Sequence, residues 1–227
     1  MKKKFLFAIF FILGASTFVK AQSVTVKAHD RFSLSYNLNE KAGNKNYSDV
    51  QGSPYTTIEF QEATCSEIDE VIFVRYDAYK QILLFKDQNG NLKAMSPLSK
   101  YRIDLTGKDY SYVVANFPED GLGYGLLLWE NSNGMRLIKK QVIKYNEGQE
   151  TDGGYTAAIP ASFGNVVETF FIQLKENGPI VEVPSQKKKA FKLLGNDFEN
   201  NAKKNKLNIK DEEEFIKLLK LTFSDSK

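Results

Sequence analysis

The sequence contains one histidine, His29, and one cysteine, Cys65, and this limits the chemistry that the chain could perform. Nucleophilic catalysis by serine or cysteine needs a histidine held against the nucleophile as a base. His29 lies in a polar stretch near the start of the predicted mature chain, which favours an exposed histidine over a catalytic one. Because a zinc site needs several ligands at short spacing, no metal site is predicted, and we expect Cys65 to be buried.

Carboxylates are the remaining groups that could catalyse a reaction, because a glycosidase-type mechanism needs only two acids at a suitable separation in space. Asp104 with Asp109, and Glu119 with Asp120, are such pairs. With 28 acidic residues in the chain, pairs of this kind also arise by chance. A carboxylate-based hydrolase is therefore a third functional hypothesis, behind two hypotheses of binding.

Two segments look like ligand loops but lack the residues that such loops need. Residues 121–125, Gly-Leu-Gly-Tyr-Gly, precede a predicted strand, and no Gly-Lys-Ser/Thr follows them as in a phosphate loop. Residues 87–90, Asp-Gln-Asn-Gly, lack the further acidic positions and the terminal glutamate of an EF-hand calcium loop. Neither a cofactor nor a catalytic residue is predicted.

The candidates for an interaction site are Arg75, Tyr76, Asp77 and Trp129. Arg75 lies inside an apolar strand pattern, where a charge is costly unless it is paired. It either ends a half-exposed strand face or pairs with an acid such as Asp77 or Asp104 at a pocket. Aromatic residues make up 13% of the chain, and those that face outward could stack on sugars or apolar ligands, although most are expected in the core.

Three hairpins should position these residues. Asn-Gly between apolar runs is a strong hairpin signal, and such pairs begin at residues 89, 133 and 177, at equal intervals of 44 residues. The flanking runs have consecutive apolar residues, which predicts strands that are covered on both faces. We expect equivalent turns at Asn89, Asn133 and Asn177. The predicted units are residues 82–95, 126–139 and 170–183.

The fold class predicted from this pattern is α+β. A mainly antiparallel β meander of about ten strands is expected to curl into a barrel, half-barrel or bent sheet. Residues 22–55 form an N-terminal strand and loop segment, and residues 56–183 form the β domain. Residues 184–227 form a basic helical segment packed on that domain.

Two to three helices are predicted in the C-terminal segment. Ser185 can cap the first helix and Gly195 can terminate it. Asp211 with Glu214 three positions later is a capping-box pattern that starts the last helix. Along this last helix, Phe215, Leu218 and Leu219 share one face, which is the pattern of a helix packed on a sheet.

Residues 1–21 have the pattern of a secretory signal. A cluster of three lysines precedes an apolar segment, and cleavage is expected between Ala21 and Gln22. Removal of the four lysines in this segment leaves 27 of the 31 basic residues against 28 acidic ones, so the mature chain is close to neutral. This argues against nucleic acid as a partner. No transmembrane span is predicted in the mature chain.

Several short motifs are similar to those of a family of exported bacterial proteins of about this length. The motifs are Gly52-Ser53-Pro54-Tyr55, Arg75-Tyr76-Asp77-Ala78-Tyr79, and the basic segments at 183–189 and 203–207. The resemblance implies an exported, β-rich protein with basic C-terminal helices. The family has no established activity, so the resemblance carries over no functional residues.

The sequence therefore favours a non-enzymatic exported protein that binds an unknown ligand or envelope protein, in the periplasm or outside the cell, and that is a monomer. The alternative hypothesis is a periplasmic carrier of an apolar ligand, such as a lipid or a lipoprotein acyl chain. A curled sheet with helices across its open side is the architecture that such a carrier would use, which is an argument from fold alone.

Overall fold

In the part of the chain that the structure, a computed structural model, describes, eleven strands are followed by three helices. It describes residues 36–37, 47, 50–66, 68–86, 92–97, 101–150 and 157–223. The strands are β1 (Tyr36–Asn37), β2 (Gln61–Cys65), β3 (Ile68–Asp77), β4 (Ile82–Lys86), β5 (Leu92–Met95), β6 (Arg102–Leu105), β7 (Ser111–Phe117), β8 (Gly121–Glu130), β9 (Arg136–Asn146), β10 (Ser162–Gln173) and β11 (Ile180–Glu182). The helices are α1 (Lys187–Leu194), α2 (Asn196–Asn205) and α3 (Glu212–Phe223).

All neighbouring strands pair antiparallel in one sheet of order β1-β5-β4-β3-β2-β6-β7-β8-β9-β10-β11. The sheet is bent, because the turn between β3 and β4 contacts β9 although four strands lie between β3 and β9. The N–H of Ile143 donates to the carbonyl of Ala78 at 3.0 Å. The side-chain amide of Gln81 donates to the carbonyl of Gln141 at 2.9 Å. The described strands do not close into a barrel, and together with the three helices they confirm the prediction of an α+β fold with a bent antiparallel sheet.

The three predicted hairpins are the pairs β4–β5, β8–β9 and β10–β11. Asn89 lies outside the described residues. The two described turns differ, so the prediction of equivalent turns is wrong: Gly134 takes the left-handed conformation in one, with φ 73°, and Asn177 takes it in the other, with φ 54°. In the first turn the side-chain oxygen of Asn131 accepts the N–H of Asn133 at 3.1 Å.

The apolar runs of β4, β8 and β10 are covered on both faces, as their consecutive apolar residues predict, whereas β11 is largely exposed. Leu83, Leu84 and Phe85 are all buried. Most of the buried side chains form the main core. The two halves of the bent sheet and the helices enclose this core. Phe170 of β10 meets Phe215 of α3 there with ring centroids 5.6 Å apart. The helices therefore share the core of the sheet.

A second, small core lies on the opposite face of β7–β10 and is covered by Ile180 of β11. The glycine-rich segment 121–125 is the start of β8 and faces this core. A Cβ on Gly125 would lie 2.5 Å from Cγ2 of Ile138 and 3.0 Å from Cζ of Phe117. Gly125 therefore makes room for the side chains of Ile138 and Phe117. The small core consists of Val113, Ala115, Phe117, Leu127, Ile138 and Phe171.

Helix α1 ends at Gly195, with φ 95°, as predicted. Its N-cap is Gln186, without a side-chain capping bond, so the prediction that Ser185 caps it is wrong. The helix begins one residue too late for the Ser185 hydroxyl to occupy the capping position. Among the described helices, none combines the length and the apolar character needed to cross a membrane.

Helix α3 begins as its capping-box pattern predicts. The carboxylate of Asp211 accepts the N–H of Glu214 at 2.9 Å. The Glu214 carboxylate accepts the N–H of Asn208 at 2.6 Å, which fixes the turn that precedes the helix. The Phe215, Leu218 and Leu219 side chains are fully buried, so this face of α3 packs on the sheet.

Candidate functional site

Arg75 lies on the outer face of β3 and is held between two aromatic rings. Its guanidinium carbon is 3.6 Å from the ring centroid of Tyr55 and 4.5 Å from that of Phe60. One terminal nitrogen donates to the carbonyl of Ile58 at 2.9 Å, while Nε is buried with no hydrogen-bond partner in the described part of the chain. Arg75 therefore fastens the segment 55–60 to the sheet, and no ion pair with Asp77 or Asp104 is present among the described contacts.

Tyr76 and Asp77 lie inside the fold beside the β3–β4 turn. The Tyr76 hydroxyl donates to the side-chain oxygen of Gln81 at 3.1 Å, and burial raises the pKa of Tyr76. The Asp77 carboxylate accepts the N–H groups of Tyr79 and Lys80 at 3.1 and 2.8 Å. Burial is the largest influence on the Asp77 carboxyl and raises its pKa against the opposing hydrogen bonds. These contacts show that Tyr76 and Asp77 both stabilise the β3–β4 turn.

An aromatic cluster, not predicted from the sequence, lies beside this turn. It consists of Tyr47, Tyr79, Tyr145 and Phe163, whose neighbouring ring centroids are 5.2 to 6.3 Å apart. Gly52 passes directly over Phe163, because a Cβ there would lie 3.1 Å from the Phe163 carbonyl oxygen. The Gly-Ser-Pro-Tyr motif thus lies between β10 and the β3–β4 turn, where the N–H of Ala78 donates to the Pro54 carbonyl at 2.8 Å.

Trp129 is almost wholly buried in the main core, with 8% of its surface exposed. Its exposed part borders an open groove of about 400 Å³, together with Arg102, Asp109 and Glu130. Arg102 bridges Asp104 at 2.8 Å and Glu130 at 3.3 Å. This groove therefore has a charged rim whose arginine is already paired.

The predicted carboxylate pairs are not brought together as an acid and a base. Burial alone would raise the pKa of Asp104, but hydrogen bonds from Ser111 and Arg102 and the charge of Arg102 outweigh it and lower the pKa. Asp109 is exposed at the groove beside Trp129. Glu119 and Asp120 are exposed in the β7–β8 turn, where Asp120 pairs with Lys140. An acidic group with a lowered pKa is poorly suited to donate a proton near neutral pH.

A different feature, the outer edge of β10, has backbone groups with which no described residue pairs. The N–H of Val183 donates to the carbonyl of Phe170 at 2.8 Å, so the polar backbone groups of Phe170 point away from β9 and towards β11. Backbone groups alternate in direction along a strand, so those of Glu168 and Val166 also point outward. No described residue pairs with them, because the chain turns away at Pro184 and enters α1.

The other end of this free stretch is closed by Gln51. The N–H of Gln51 donates to the carbonyl of Ala161 at 3.0 Å, and the N–H of Phe163 donates to the carbonyl of Gln51 at 2.8 Å. A β-bulge between Phe163 and Val166 separates this contact from the regular part of β10. Residues 164–169 of β10, called the open edge below, are therefore bounded at both ends.

The side chains of the open edge are unusual for an exposed strand. Val166 is 38% exposed and Val167 is 51% exposed. Its one charged side chain, Glu168, accepts from Gln141 at 2.7 Å and lies 3.3 Å from the Lys139 amino group. Proteins commonly protect exposed edges with lysine, proline or a covering segment. The open edge has no lysine or proline.

A groove of about 350 Å³ adjoins the open edge where β11 ends. Glu168 and Phe170 line it on the β10 side, and Pro184, Ile209 and Lys210 line it on the helical side. In the sequence, the only sign of this site is a proline directly after a short predicted strand, opposite a longer strand with no edge protection.

The structure describes only one of the remaining predicted residues, Cys65. Ala21, Gln22 and His29 lie outside the described residues. Cys65 is buried, with 5% of its surface exposed. Within the described ranges, His, Cys, Asp and Glu side chains form no group of three that could hold a metal ion.

Comparison with known protein families, with curated proteins and with solved structures finds no match to this chain.

Proposed function

We propose that this chain is a non-enzymatic, exported binding protein that docks a partner on the open edge of β10. The observation that carries the proposal is the pair of residues Val166 and Glu168, whose backbone N–H and C=O groups point outward with no partner among the described residues. Exposed backbone groups of this kind are a ready template for pairing with another chain. The compartment proposed is the periplasm or the exterior of a bacterial cell, on the basis of the predicted signal at residues 1–21.

Packing of the interior favours a surface site over an internal one. A carrier of an apolar ligand would need a cavity inside the curled sheet to bury most of the ligand. The main core and the small core fill the two faces of the sheet with side chains such as Tyr124 and Phe117, which are 1% exposed. The described concavities beside β10 and Trp129 are open grooves on the surface.

The carboxylate-based hydrolase is the weaker alternative. Asp104, its proposed acid or base, already accepts hydrogen bonds from Arg102 and Ser111. Both contacts stabilise the ionised carboxylate and leave it little capacity to donate a proton. Binding without chemistry therefore accounts best for the arrangement.

Site-specific photo-crosslinking in cells that export the protein tests this proposal. A photoreactive amino acid would replace Val167 at the open edge or, as a matched control, Leu122 in β8, because both side chains are 51% exposed. We expect crosslinked partner bands from position 167 and few from position 122. Equal crosslinking at both positions, or crosslinking at position 122 alone, would contradict docking at the open edge.

A further inference from the structure

We propose that the partner contributes an extended peptide segment of about six residues, which adds to β10 as an extra strand in line with β11. This inference rests on the proposed function and names the chemistry of its partner. It follows from the length of the open edge, from its hydrogen-bonding groups and from its exposed side chains.

The length of the open edge decides between a short peptide and a second copy of this chain. The open edge spans residues 164–169, about 20 Å at the rise of a β-strand. Strand β10 is 12 residues long, so β10 of a second copy would run into β11 at one end and into Gln51 at the other. A short segment that bends away at both ends fits between these two neighbours.

The backbone hydrogen-bonding groups of the open edge alternate in direction from one residue to the next. Val166 and Glu168 each present one N–H donor and one C=O acceptor outward, whereas Val167 between them points towards its partner Val142 in β9. A bound strand would pair through every second residue of its backbone. The intervening residues would keep their backbone groups towards solvent, so binding depends on alternate peptide N–H groups.

Side chains at the open edge define the class of sequence that would bind. Val166 and Val167 project to opposite faces of the sheet and are both exposed. Cross-strand contacts with valine favour β-branched and aromatic residues. Glu168 is already engaged by Lys139 and Gln141, so it does not select for a basic partner. The preferred segment therefore has apolar residues at its centre and no proline at the pairing positions.

The groove beside the open edge gives the peptide a route away from the sheet. The groove lies where the chain leaves the direction of β11 at Pro184, and Ile209 and Lys210 line it. A peptide that continues the line of β11 meets this groove opposite Thr169. Its terminal residue can leave the sheet there without displacing α1 or α3.

A displayed library of random linear ten-residue peptides, selected against the full chain, tests the inference. We expect the enriched sequences to carry β-branched or aromatic residues at their centres. For one enriched peptide, single N-methylation along the backbone should weaken binding at least tenfold at every second central position and little at the positions between. The amides of Val166 and Glu168 should gain protection from hydrogen exchange when the peptide is bound.

Two variants locate the binding. Val167→Lys should weaken the peptide at least tenfold, since it places a charge beside the bound strand. Val71→Lys on β3 is the matched control, because Val71 is also exposed, at 55%, and lies away from the open edge; it should leave binding unchanged. Because N-methylation changes the peptide and leaves the protein unaltered, it tests strand addition even if a protein variant folds poorly.

Several outcomes would overturn the inference. Enriched peptides that are insensitive to the alternating N-methyl pattern, or to Val167→Lys, would exclude strand addition. Concentration-dependent dimerisation that protects the Val166 amide would assign the open edge to a second copy. If the library yields no binder while crosslinks at position 167 persist, the peptide class is wrong and the proposed function stands. Loss of both signals would reject both proposals.

Discussion

Gly125 in β8 lies so close to Ile138 in β9 that a Cβ on residue 125 would sit 2.5 Å from Cγ2 of Ile138. The same Cβ would lie 3.0 Å from the Phe117 ring. Ile138 and Phe117 of the small core can therefore pack this close to β8 because residue 125 has no side chain. Within the glycine-rich segment, Gly125 thus has a packing role inside the sheet.

Gly125→Ala should lower the free energy of unfolding by about 1–3 kcal/mol, because overpacking a filled core costs that much. Gly123→Ala is the matched control, since its Cβ would lie 3.7 Å from the Phe117 ring, an ordinary contact. Urea denaturation of the two variants measures the difference. Equal losses of stability would show that the small core accommodates an extra methyl group and that this account of Gly125 is wrong.

The hairpins and helices were predictable because their signals are local. Turn glycines, consecutive apolar runs and the Asp211 cap each act within a few residues of sequence. The bend of the sheet was not predictable, because it depends on contacts such as that between Ala78 and Ile143, which are far apart in the chain. The sequence therefore predicts a barrel, a half-barrel or a bent sheet without distinguishing between them.

Arg75→Ala should destabilise the protein by about 2 kcal/mol, because it removes two cation–π contacts and a charged hydrogen bond. Arg75→Lys should recover only part of this loss, since the ammonium group lacks the planar surface that stacks between Tyr55 and Phe60. The free energy of unfolding by denaturant titration measures both effects. Limited proteolysis should show new cleavage within residues 55–60.

The control for Arg75 is Arg136→Ala, which removes a surface ion pair with Glu130. Exposed ion pairs contribute about 0–1 kcal/mol, so this variant should be nearly as stable as the original protein. If Arg75→Ala is no more destabilising than Arg136→Ala, then Arg75 does not fasten the segment 55–60.

Asp77→Asn should stabilise the protein more at pH 7 than at pH 4. Burial raises the pKa of Asp77 in the folded state above its ordinary value of 3.8. A carboxyl group whose pKa is higher in the folded than in the unfolded protein stabilises the fold at pH values below its unfolded pKa. This stabilisation is lost as the pH rises through the folded pKa. The asparagine does not ionise, so its advantage over aspartate should grow across this window. Urea titrations at several pH values measure it.

Asp104→Asn should show the opposite dependence on pH. Hydrogen bonds from Ser111 and Arg102 lower the folded pKa of Asp104 despite its partial burial. Its stabilising contribution is therefore present above pH 3.8 and is lost as the pH falls through the lowered pKa. The cost at pH 7 should stay below about 1 kcal/mol, since the side chain is half exposed. Identical pH profiles for the two variants would contradict both assignments.

Hydrogen exchange of the unbound protein tests the direction of the open-edge backbone. The amides of Val166 and Glu168 point to solvent and should exchange fast, whereas that of Val167 points to β9 and should exchange more slowly. Amide exchange resolved by residue with NMR measures this alternation. Slow exchange at both Val166 and Glu168 would mean that the edge is already covered and would remove the basis of the proposed docking.

The sequence predicts the strand that carries the open edge but not the open edge itself. The exposed state of Val166 and Val167 depends on which strand lies beside β10, and β11 is only three residues long. A charge in an apolar strand suggests a site at Arg75, Tyr76 and Asp77. The structure places them against Tyr55, Gln81 and the turn amides, where they hold the fold.

Phe215→Ala should destabilise the protein by about 3–5 kcal/mol, because the ring is fully buried between α3 and the sheet. Phe73→Ala removes a ring of the same size that is 49% exposed on β3, and it should cost less than about 1 kcal/mol. Chemical denaturation of both variants measures the difference. Deleting residues 185–227 should have a larger effect of the same origin, since it uncovers the sheet around Phe170, and solubility should fall. A truncated protein that stays soluble with unchanged thermal stability would show that the helices contribute nothing to the core. A small loss of stability in Phe215→Ala would lead to the same conclusion.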